Sequence, residues 1–136
     1  MYRVLVATHV FANMVWIGSI LAAGAMLAAK QLSPLPDRAK HALWTYRRLA
    51  VPAFLVSLLV GCACLILDPS KSLLKMPSMH AKLTLAVGVI ALHHWIGAAA
   101  RRIVYGRRST PIPILTVVLL LVFAGGAAVL GVAKPF

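Results

Sequence analysis

The chain has 136 residues, 62% of them hydrophobic, a mean hydropathy of +0.93 and a formal net charge of +12. Soluble domains are about 45–50% apolar, so the composition argues against a water-soluble fold. The two acidic residues, Asp37 and Asp68, with no Glu anywhere, leave no carboxylate pair for hydrolysis and no carboxylate cage for Ca²⁺ or Mg²⁺. The cations lie between apolar runs rather than along a soluble face, so they point to membrane topology and not to nucleic acid.

A membrane-spanning helix needs roughly 20 mostly apolar residues. Residues 4–29, 49–67, 80–100 and 111–133 meet that requirement and take up most of the chain. The expected fold is an all-α membrane protein: one domain, residues 1–136, forming a four-transmembrane-helix bundle. The first connection carries Lys30, Arg38, Lys40, Arg47 and Arg48, and the third carries Arg101, Arg102, Arg107 and Arg108. The second carries only Lys71 and Lys75, with Lys82 just inside the third helix, and the termini carry Arg3 and Lys134. The positive-inside rule then places connections one and three in the cytoplasm and both termini on the periplasmic side.

In the first run His9, Asn13, Trp16 and Ile20 recur at helical spacing and share one face, which should turn toward the bundle interior. Gly18, Ala22, Ala23, Gly24 and Ala25 predict close helix contact. The run is longer than the roughly 7–15 residues of a signal-peptide core, and it is expected to stay in the mature protein. The first connection breaks at Pro34 and Pro36; Asp37 is expected to cap a helix that carries Leu43, Trp44 and Tyr46 into helix two, where Pro52 gives a kink or an early-turn proline.

Cys62 and Cys64 point about 200° apart on a helix and read as packing residues. Asp68 falls at the end of helix two and does not read as a buried acid, and Ser78 is expected to cap helix three. Helix four begins after Ser109-Thr110-Pro111. Its Gly125, Gly126 and Gly131 predict tight packing and, with the small residues of helix one, suit a homo-oligomer.

Five histidines occur. His41 falls in the first, basic connection and reads as solvated. His9 and His80 both reach the outer half of the bundle, on different helices. His93 and His94 follow His80 by roughly 20 Å along helix three. His80, Val87, His94 and Arg101 repeat every seven residues and form one stripe; His93 points away from it and reads as a bystander. Lys82 also points away from His80, toward the interface or toward an anion.

Taken singly, each histidine reads as a hydrogen-bonded packing residue. Together, His9 and His80 with Asn13 and Trp16 beneath suit a planar cofactor, and neutral imidazole is a good axial ligand for haem iron. A second reading takes "MPSMH", where Met76, Met79 and His80 offer thioether and imidazole to Cu(I).

The segments "HVFANMVWIG", "RRLAVPAFLVSLLVG" and "MHAKLTLAVGVIALHHWIG", with a terminal "KPF", resemble the HemJ-type protoporphyrinogen IX oxidases. The related CopD-like copper-resistance proteins share part of the pattern. The resemblance covers all four helices in order, and "HAKL" followed by a later histidine is its most specific piece.

It implies a bacterial inner-membrane enzyme that removes six electrons and six protons from protoporphyrinogen IX, binds a b-type haem and passes electrons to a membrane quinone. By position His9 matches the family's helix-one histidine, His80 and Lys82 its "HxK" and His94 its later histidine; the expected iron ligands are His9 with His80 as partner or neighbour, and the catalytic candidates are His9 and Lys82. His94, Asn13, Trp16, Arg48 and Arg101 join His9, His80 and Lys82 around the cofactor, with Lys82 and Arg101 or Arg102 meeting its propionates, and Pro52 matches the helix-two proline. The chain departs from the family pattern in "AAGAMLAAKQL", where Lys30 is the nearest cation, and in Ser109-Thr110, where an acid usually precedes the proline. Two alternatives keep the scaffold without this reaction: a CopD-like copper transport protein, and a non-catalytic cytochrome b-like membrane subunit.

Overall fold

Where no water is available, a single segment satisfies its own backbone N–H and C=O groups only as a helix. The computed structural model describes residues 1–29, 33–69 and 73–133, and among these it is all-helical. The helices are α1 (Tyr2–Ala28), α2 (Leu35–Thr45), α3 (Val51–Ile66), α4 (Pro77–Val104) and α5 (Ile114–Ala133). A π-helical segment, Tyr46–Ala50, joins α2 to α3, so that Leu35–Ile66 forms one rod of 32 residues. A single 3₁₀ turn, Leu73–Lys75, precedes α4. Four rods, α1, α2–α3, α4 and α5, are long and apolar enough to cross a membrane.

Pro52 explains the π segment. A proline lacks the N–H that would bond to the carbonyl four residues back, and its ring collides with that carbonyl. For Pro52 that carbonyl belongs to Arg48, inside the segment where the ladder widens. The helix of the second rod thus begins well before residue 49: the stretch that follows Pro34 and Pro36 runs into helix two, as its sequence leads one to expect. α4 likewise extends beyond residues 80–100 at both ends.

α1 packs on α3, α4 packs on α5, and α2 wedges against both α1 and α4. The buried apolar cluster occupies one half of the bundle, where Ile20, Leu27, Ile96 and Leu120 are fully buried beside Ala39, Ala42 and Ala50 of the second rod. That half ends in the arginine-rich connections. In the other half the buried residues are few and mostly small or polar, among them Ala12, Ser57, Cys64, Asp68 and Ser78.

Small residues set the close approaches. A Cβ at Gly24 would stand 3.2 Å from Ile96 Cδ1 and 3.3 Å from Val117 Cγ2, so α1 meets α4 and α5 there. One at Gly97 would collide with the Tyr46 ring. Gly18, Ala22, Ala25 and Gly125 are exposed, and a Cβ at Gly18 or Gly125 would meet nothing within 4 Å, whereas Ala23 and Gly24 are buried, Gly126 is half-buried and the exposed Gly131 lies against Lys82.

Several local expectations are corrected. Asp37 is not the cap of α2: the N-cap is Pro34, and Asp37 lies in the first turn, where its carboxylate takes Lys40 Nζ at 3.2 Å. That position suits the positive end of the helix dipole. Met76, not Ser78, is the N-cap of α4, and Ser78 is buried within the first turn. Asp68 is buried and accepts a hydrogen bond from the Leu73 N–H at 3.2 Å, so it ties the end of α3 to the turn before α4. Lys30, Lys71, Lys134 and the terminal "KPF" lie outside the described residues.

Two arginines, Arg38 in α2 and Arg108 in the connection before α5, also brace the chain. Arg38 donates from Nη1 to the carbonyls of Met26 and Ala29 and from Nε to that of Ser33, which caps the C-terminal end of α1 with a cation. Arg108 donates to Thr110 O at 2.9 Å and Pro111 O at 3.1 Å, bracing the approach to α5.

Candidate functional site

Two polar sites lie inside the bundle, and both begin on the stripe of α1. His9 and Asn13 are half-buried, Trp16 and Ile20 are buried, and the whole stripe faces the other helices as its spacing predicts. The first site joins α1 to α3. His9 Nδ1 lies 2.9 Å from the Ser57 carbonyl oxygen, which can only accept, so Nδ1 carries the proton. His9 Nε2 is then the lone-pair nitrogen and accepts from the Asn13 amide at 3.0 Å. The Ser57 hydroxyl, buried, donates to Asn13 Oδ1 at 2.8 Å and closes the ring of three bonds. Gly61 leaves room for the imidazole: a Cβ there would stand 2.7 Å from His9 Cε1.

Lys82 reaches this half of the bundle from α4. It is half-buried and lies against Gly131 of α5. Among the described residues the one ion pair is Lys40–Asp37, and Lys82 has no part in it. His80, two residues earlier, is exposed. The whole stripe of His80, Val87, His94 and Arg101 is exposed, so it forms an outer face of α4 rather than a lining of the interior. Lys82 therefore lies between α4 and α5 in the same half of the bundle as His9, while His80 is exposed. Cys64 is buried and Cys62 exposed, as their opposed directions predict, and neither is in a disulfide.

The second site joins Trp16, a cofactor candidate by its place on the α1 stripe, to His93, which the sequence pattern casts as a bystander. His93 is the most buried histidine, 1% exposed, and accepts a hydrogen bond from the Trp16 indole N–H at its Nδ1, 3.1 Å away. Its ring lies against Tyr46 and Phe54, with centroids at 4.8 and 5.0 Å and a tilt of 33° to each. Trp16 and His94 meet it edge-on. Because Nδ1 accepts, the neutral ring carries its proton on Nε2, and that N–H has no hydrogen-bond partner. A buried donor left unpaired costs about 1–3 kcal/mol. The sevenfold repeat drew attention to His80 and His94. The signal for His93 was instead its helical register with Ile96, Gly97 and Ala100, all buried on the same face of α4.

The remaining expected residues sit at the arginine-rich end. Arg48 is exposed on the π segment, and Arg101 is exposed near the end of α4. Arg101, Arg102, Tyr105 and Arg107 border an open cavity of about 300 Å³ beside Ala98. His41 is exposed, with Nδ1 2.9 Å from the Asp37 carbonyl.

The donor sets sort what each site can hold. Among the described residues no group of three or more His, Cys, Asp or Glu side chains is placed to hold a metal ion. Iron in a porphyrin needs only one or two protein ligands, because the macrocycle supplies four nitrogens. A metal-binding imidazole usually donates its other N–H to a carboxylate or a backbone carbonyl, which fixes the lone pair toward the metal. His9 has that arrangement through Ser57, with the Asn13 amide now resting on the lone pair. His93 has the reverse arrangement, since Trp16 holds it in the tautomer that presents a proton. His9 thus fits an axial ligand once Asn13 turns aside, and His93 fits a hydrogen-bond donor. No family model, curated protein or solved structure matches the chain.

Proposed function

We propose that this chain is an integral-membrane oxidoreductase of the HemJ type, oxidising protoporphyrinogen IX to protoporphyrin IX, with a b-type haem held through His9. The observation that carries the reading is the His9 imidazole, oriented by the Ser57 carbonyl, with Lys82 half-buried in the same half of the bundle. The resemblance of the segments around His9, Pro52 and Lys82 to that family gives the reaction.

Each protoporphyrinogen IX gives up six electrons and six protons, and three quinone molecules take them up as three quinols. A haem bound here supplies a one-electron carrier between the two. Ser57 fixes the tautomer of His9 through its carbonyl and holds Asn13 through its hydroxyl. Lys82 offers a cation to a propionate on a planar tetrapyrrole, in the half of the bundle that lacks a large apolar core. Both termini would be periplasmic and the arginine-rich connections cytoplasmic, in a bacterial inner membrane. A homo-oligomer in that membrane would place the outward-facing Gly18, Ala22 and Ala25 of α1 at a contact between copies.

The test joins a spectrum to a rescue assay. Purified protein should show a Soret band and a reduced-minus-oxidised α-band, and the gene should rescue a strain deficient in protoporphyrinogen oxidase. His9→Ala should lose both. Absence of the bands in the wild-type protein defeats the haem assignment, and failure to rescue defeats the reaction.

A further inference from the structure

We infer that His93 is the docking point of a membrane quinone, its Nε2–H donating a hydrogen bond to one quinone carbonyl. The inference rests on the oxidoreductase reading above, to which it adds the place where the electron acceptor sits. Trp16 occupies Nδ1, which leaves a protonated Nε2 with nothing to bond to. A ligand that satisfies this atom must be an acceptor, which rules out a metal ion at Nε2 in this tautomer.

The surroundings add two further requirements. A hydrogen bond to Nε2–H lies in the imidazole plane, so the incoming group meets His93 edge-on beside the Tyr46 and Phe54 rings, where a flat group packs best. Phe54 is half-buried and His94 exposed, and they are the ring neighbours of His93 that reach the outer surface of an apolar bundle, so the ligand arrives from lipid. Flat, lipophilic and carbonyl-bearing together describe a quinone head group. The backbone supports the assignment. Tyr46 opens the π segment, a kind of helix irregularity that concentrates at functional sites, and packs over Gly97, one turn beyond His93. Nε2 is shielded, so binding requires the side chains around it to move.

Protein labelled with ¹⁵N-histidine, in detergent micelles, is titrated with a short-chain ubiquinone analogue. The expected result is a shift of one imidazole Nε2–H resonance, assigned to His93 by its disappearance in His93→Gln. Affinity measured by quinone partition should fall about tenfold in His93→Leu and stay within about threefold in His93→Gln, whose amide keeps an N–H near the same place. If His93→Leu fails to fold once Trp16 loses its acceptor, the wild-type titration decides; if His93→Gln does, the resonance is assigned by elimination from His9→Gln, His41→Gln, His80→Gln and His94→Gln. An Nε2–H that does not move at saturating quinone, or one that shows a bound-water cross-peak unaltered by quinone, overturns the proposal. Undiminished affinity in a folded His93→Leu protein overturns it as well. Neither readout uses haem or porphyrinogen, so loss of the Soret band or failed rescue would remove the function proposed above and leave this site standing, and the reverse.

Discussion

At the residue scale the two interior histidines differ in what holds their protons. His9 is oriented by a backbone carbonyl that no side-chain substitution removes, and Asn13 merely covers its lone pair. If His9 holds the haem as proposed, Asn13→Ala should keep the Soret band, because it exposes the nitrogen that would bind iron. The ligand-free protein should lose about 1 kcal/mol of stability with the two side-chain bonds, read as a lower midpoint of denaturation. Loss of the haem bands in a folded Asn13→Ala protein would mean that Asn13, and not only His9, holds the cofactor. The α1 stripe was legible in the sequence because four residues at helical spacing need only one helix to share a face. The role of His93 was not, because its burial depends on Tyr46 and Phe54, which belong to another rod and to a helix phase that no local pattern sets.

At the element scale the contact between α4 and the second rod turns on Gly97. Any side chain there meets the Tyr46 ring, which is itself stacked on His93. Gly97→Ala should destabilise the protein by about 1–3 kcal/mol through overpacking, visible as a lower thermal midpoint in detergent. Gly125→Ala, on the open face of α5, should leave the midpoint unchanged within about 0.5 kcal/mol. Equal effects of the two would show that Tyr46 gives way freely. The glycines were visible in the sequence as a set that permits close approach. Which of them meets a neighbour depends on rotation of each helix about its axis, and this separated Gly126 and Gly131 from Gly125. Helix caps were also misplaced from sequence, since Pro34 and Met76 start their helices without a capping side chain.

For the whole molecule, hydropathy and the uneven spread of cations were enough to reach four apolar rods in the right order. Their sidedness is open to a direct measurement. In a background with Cys62→Ser and Cys64→Ala, a thiol at exposed Lys75 (Lys75→Cys) should react with a membrane-impermeant reagent added to intact cells. A thiol at exposed Ser109 (Ser109→Cys) should react only after the membrane is opened. The opposite pattern would invert the topology drawn from the arginine-rich connections. The same asymmetry runs through the interior. The apolar cluster lies at the arginine-rich end, and the His9–Ser57–Asn13 ring lies away from it, so stability and cofactor binding should respond to separate sets of substitutions.

The π segment also has a bearing on chain length. One extra residue in a helix can be absorbed locally as a widened turn, leaving the faces before and after it in phase. Residues 46–50 thus mark a place where this chain carries one residue beyond what a regular helix from Leu35 to Ile66 would need. Deleting exposed Leu49 alone should still harm folding, because Pro52 would then press on a carbonyl in a regular turn. Deleting Leu49 together with Pro52→Ala should restore a folded protein by circular dichroism and thermal melting. Such a shortened chain would keep α2 and α3 facing their present neighbours.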